Sequence, residues 1–178
     1  GHVIAAALGL SVVGYGMLAH LGPSPHGLAQ VTAAFSLVYL GLGTIAALGT
    51  DLVVGAAPAE KAGAASALSE TVQELGLAVG IATLGSLTTA IYRIRMSDAL
   101  GNSLPPDVHG ATSDSLAGAH SVSAALPAGT LEQAQAAFVT GLNVAAGASA
   151  ISIALLAVLA AISLRHIGVG GGRDGGPP

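Results

Sequence analysis

Residues 133–164 read QAQAAFVTGLNVAAGASAISIALLAVLAAISL, a run without one formally charged side chain. It exceeds the roughly 20 residues a helix needs to cross ~30 Å of hydrocarbon at 1.5 Å per residue. A second such region fills the other end of the chain, where Asp51 is the sole formal charge between residues 1 and 59. Long uncharged apolar stretches call for lipid as their solvent. The whole composition agrees. Of 178 residues, 52% are hydrophobic and 8% charged, against roughly a quarter charged in a domain whose surface must face water. The sequence therefore predicts an all-α, polytopic membrane protein with the lipid bilayer as its first partner.

Four transmembrane helices follow from the punctuation of the chain. The first covers residues 3–21 and ends at Gly22-Pro23-Ser24-Pro25-His26-Gly27, where two prolines and two glycines cannot continue a helix. The second covers residues 28–54, long enough to cross with tilt. A polar hinge, Ala57-Pro58-Ala59-Glu60-Lys61, places Pro58 where a first helical turn tolerates it. The third span covers residues 63–92 and stops at Arg93-Ile94-Arg95. Residues 93–130 hold Asp98, Asp107, Asp114, His109, His120 and three prolines, with no apolar run of membrane-crossing length. They read as one long extramembrane loop, with a short helix over residues 114–125. Thr130-Leu131-Glu132-Gln133 has capping-box spacing and opens the last span, residues 131–164. A glycine-rich tail, residues 166–178, reads as flexible.

Several functions are excluded by residue type. A net charge of −4 argues against nucleic acid, which needs clustered Lys and Arg. The absence of Cys removes disulfides, thiolate metal sites and cysteine nucleophiles. The six histidines are scattered and none has HxxxH spacing, so no metal site is expected. No nucleophile elbow, Walker motif or dinucleotide fingerprint occurs, and neither an enzyme nor a bound cofactor is expected. The chain opens Gly1-His2 and runs straight into an apolar segment, which reads as the interior of a longer protein.

Helices in lipid associate through close backbone contact, so small residues mark their interfaces. The third span carries Gly76-Leu77-Ala78-Val79-Gly80 and then Gly85, predicting helix packing at Gly76, Gly80 and Gly85. Gly9, Gly14, Gly16, Gly41, Gly43, Gly141 and Gly147 offer the same chance elsewhere. Asn143 is expected to bond between helices, and Tyr92 to anchor at the membrane interface.

The acids carry the chemistry. Glu70 and Glu74 lie one turn apart and share a face of the third span. They fall roughly 12 and 18 Å from its start at 1.5 Å per residue, which brings at least one near the bilayer midplane. A carboxylate there faces a cavity, pairs with a cation or takes up a proton. Two neighbouring acids push each other's proton affinities apart, and burial raises them further. Both a structural reading, hydrogen-bonded or paired to a cation, and a proton-coupling or substrate-binding reading remain open. Gln73 adds a polar group on a different face. Asp51, one turn from the end of its span, fits pairing with Lys61 or capping of the hinge better than transport chemistry.

From Asp51-Leu52-Val53-Val54-Gly55-Ala56-Ala57-Pro58-Ala59-Glu60-Lys61 through Ser66-Ala67-Leu68-Ser69-Glu70-Thr71-Val72-Gln73-Glu74-Leu75-Gly76 to Gly85-Ser86-Leu87, the chain resembles the penultimate hinge and helix of fourteen-helix drug:proton antiporters of the major facilitator superfamily. A long external loop before the last helix is also similar to that family. The resemblance implies the last four helices of a major facilitator fold in the inner (plasma) membrane. It puts the hinge at Lys61 and the C-terminal tail in the cytoplasm, an orientation left undecided by Lys61, Arg165 and Arg173 on one side against Arg93 and Arg95 on the other. It implies proton-driven export of small hydrophobic or cationic substrates, with the N-terminal transmembrane half as the missing partner. Glu70 and Glu74 match positions where the family carries acids or amides, while the match is weak for Asp51; Gln73 stands beside them as a further proton-coupling or substrate-binding candidate. A complete four-helix membrane scaffold or assembly subunit is the alternative reading of the residues.

Overall fold

The computed structural model describes residues 2–22, 27–101 and 104–164. Their regular structure is helical: α1 (His2–Ala19), α2 (Gly27–Gly55), α3 (Ala62–Leu100), α4 (Pro106–Asp114), α5 (Leu116–Ser121) and α6 (Thr130–Leu164). Two 3₁₀ turns, Ala59–Lys61 and Ser123–Ala125, complete it. α2, α6 and α3 with its preceding turn are each long and apolar enough to cross a membrane, and α1 is a shorter apolar helix. The chain is thus an all-α membrane protein. Residues 23–26 of the expected first turn, and the tail from residue 165, lie outside the described residues.

Three boundaries differ from the sequence expectation, each for a local reason. α3 does not stop at Tyr92 but runs through Arg93 and Arg95 to Leu100. Beyond the apolar run it becomes amphipathic, and Tyr92, Met96 and Leu100, at helical spacing, are the residues it buries. Gly101, at φ 54°, ends it in a conformation that favours glycine. In the polar segment, Asp114 closes a helix instead of opening one. Pro106 takes the first turn of α4, where a missing N–H is harmless, and the Ser115 hydroxyl caps α5 by accepting from the Gly118 N–H at 3.0 Å. Thr130 lies inside the first turn of α6 and makes no capping-box bond among the described residues. The Gln133 N–H donates instead to the carbonyl of Gly129, itself at φ 86°.

The long helices meet through small residues. α1 packs against α2 and α6, α6 against α3, and α2 meets α3 more lightly. A Cβ on Gly14 would sit 2.7 Å from the Ala34 carbonyl oxygen and from Val38 Cγ2. One on Gly41 would overlap Ser11 Oγ and the Ala7 carbonyl. Ser11 is fully buried there, and its hydroxyl donates towards the carbonyls of Ala7 at 3.3 Å and Val38 at 3.4 Å. α6 approaches α3 where a Gly141 Cβ would lie 2.8 Å from the Thr88 carbonyl. Asn143 of α6 donates from Nδ2 to the Leu21 carbonyl at 2.9 Å, a bond to the segment just past the end of α1 rather than to a helix.

Most hydroxyls turn inward on their own helix. Those of Thr32, Ser36, Thr44, Thr71, Thr88, Thr140 and Ser152 donate to the carbonyl four residues earlier at 2.8–2.9 Å. α4 and α5 cover the ends of α3 and α6. Tyr92, Met96 and Leu100 form a core there with Ala119, Ala134 and Ala137, flanked by Leu104, Leu116, Leu126 and Leu131. Tyr92 is therefore not a ring at a lipid interface. It is 2% exposed, and its hydroxyl donates to the Thr112 carbonyl at 2.8 Å.

Candidate functional site

α3 buries no residue before Tyr92, and its turns around Glu70 and Glu74 are exposed. Glu70 and Glu74 both lie on this exposed stretch. Among the described residues neither forms an ion pair. An acid on a membrane-crossing helix needs a polar or protonated destiny, because a charge at the helix centre costs about 2.5–3.5 kcal/mol or more to insert. Within the described residues, no cation supplies that destiny.

Helical spacing ties these acids to a cavity. Glu70, Glu74, Leu77, Ile81, Leu84 and Thr88 recur at alternating intervals of four and three, which places them on one stripe of α3. The last four line an apolar cavity of about 880 Å³ between the long helices. Tyr15 of α1, Phe35 of α2 and Phe138 of α6 close its other sides. The two carboxylates thus stand on the face that leads out of this cavity, towards the Lys61 end of α3. The arrangement can offer a greasy surface to an apolar body and a negative charge, or a proton acceptor, beside it.

Gln73 is drawn to a different neighbour. Its Nε2 donates to Thr50 Oγ1 of α2 at 3.3 Å, and to the carbonyl and hydroxyl of Ser69 at 3.3 Å each. It lines a second cavity of about 610 Å³ between α2 and α3, with Leu42, Ala46, Thr50, Val53 and Ser69 among its walls. Asp51 is exposed beside Thr50 and makes no ion pair with Lys61 among the described residues. The hinge is closed by backbone instead: the Lys61 N–H donates to the Pro58 carbonyl at 2.8 Å. Gln73 therefore belongs to the α2–α3 groove, Asp51 is not among the residues lining it, and Glu70 and Glu74 lie on the other stripe.

Among the described residues, Gly76, Gly80 and Gly85 make no close contact with another helix. A Cβ on any of the three would meet nothing within 4 Å, because α3 touches α6 nearer its other end, at Thr88. All three line the 880 Å³ cavity, where the missing side chains leave its wall open. Among the described residues, the glycines that bring the long helices together are Gly14, Gly41 and Gly141. Nothing in the sequence set them apart from Gly9, Gly16, Gly43 and Gly147. Among the described residues no group of three or more His, Asp or Glu could hold a metal ion.

No family model matches the chain, and no solved structure matches it significantly. Over 142 residues, which take in 78% of this chain, it is 39% identical to the multidrug efflux pump LfrA of Mycolicibacterium smegmatis. The match covers 28% of that protein, so the chain spans less than a third of the length of its relative. Over a portion that carries four long or apolar helices, the chain is therefore similar to a multidrug efflux pump.

Proposed function

We propose that these helices are the C-terminal four of a proton-coupled exporter of hydrophobic or cationic compounds, working in the plasma membrane with the hinge at Lys61 and the tail on the cytoplasmic side. The identity to an efflux pump over most of the chain carries this reading. Two further observations support it. The turns of α3 that bear Glu70 and Glu74 are exposed among the described residues, as a wall facing the rest of a larger transporter would be. The same stripe borders an apolar cavity, which suits a greasy cation whose charge a carboxylate can neutralise.

In this reading Glu74 exchanges a proton for the substrate cation, with Glu70 one turn away on the same face. Gln73 holds α3 to α2 and does not take part in the exchange. The test uses the complete transporter in proteoliposomes under an imposed pH gradient. Glu74→Gln is expected to lower drug–proton exchange at least tenfold, about 1.4 kcal/mol of coupling, while inserting into membranes as the parent does. Exchange at the parental rate would remove Glu74 from the mechanism.

A further inference from the structure

We draw no further inference here: the strongest candidate, the apolar cavity of about 880 Å³ lined by Tyr15, Phe35 and Phe138 between the long helices, belongs to the site already described, and nothing among the described residues shows what covers its open side.

Discussion

Gly41→Val is expected to leave α1 and α2 unable to pack, with most of the protein lost to aggregation on extraction into detergent. A Cβ at this position falls onto Ser11 Oγ and the Ala7 carbonyl oxygen. The carbonyl belongs to the backbone of α1 and cannot step aside as a flexible side chain would. Forcing the helices apart also breaks the Ser11 bridge to the Val38 carbonyl, leaving polar groups buried without partners. Overpacking alone costs about 1–3 kcal/mol, and an unsatisfied buried group about as much again. The comparison is Gly80→Ala, where a Cβ meets nothing within 4 Å and a helix former replaces a residue about 1 kcal/mol poorer in helices. Detergent-solubilised protein, followed by circular dichroism on heating, should show a midpoint well below the parent for Gly41→Val. For Gly80→Ala it should be unchanged or slightly higher. Equal midpoints would mean that the α1–α2 crossing is not where the helices touch.

The second large effect is expected at Tyr92. Tyr92→Ala removes a ring that is 2% exposed from the core shared by α3, α5 and α6, and aromatic truncations of this kind cost about 3–5 kcal/mol. Tyr92→Phe keeps the ring and loses the bond to the Thr112 carbonyl, for about 1–3 kcal/mol. Limited proteolysis between residues 104 and 129 reads the outcome directly. Cleavage there should be rapid in Tyr92→Ala and intermediate in Tyr92→Phe, while α1 and α2 stay intact. If Tyr92→Ala is cut no faster than the parent, α4 and α5 do not depend on this ring. The exposed Arg93–Asp114 pair sets a useful contrast, since an ion pair in water contributes about 0–1 kcal/mol.

The helices of this chain could be placed from residue types because lipid imposes a simple rule on long segments. Residues 28–54 and 131–164 could scarcely be anything else, and the structure moves their ends by a residue or so. The rule fails where water begins. Pro105 and Pro106 looked like loop residues, yet the second of them starts α4. Tyr92 looked like an anchor because Arg93 follows it, and nothing in its neighbours foretold that Thr112, twenty residues on, would receive its hydroxyl. The acids were visible as acids, and their one-turn spacing gave their common face. Their relation to the cavity was not visible, because Leu77, Ile81 and Leu84 are unremarkable in a span full of apolar side chains. Glycine was the least legible. Spacing singled out Gly76 and Gly80, whereas contact depends on where two helices cross, and that is fixed by both partners at once.

The inward turn of the hydroxyls has a bearing on how such helices enter a membrane. Each serine or threonine that donates to the carbonyl one turn back presents its methyl or methylene side outward and keeps its polarity within the helix that carries it. Thr32, Thr44 and Thr71 are therefore tolerable against acyl chains although they are exposed. An insertion machinery that weighs each segment as it emerges meets these residues already silenced. It can release α2 and α3 into lipid before any neighbour exists to receive them.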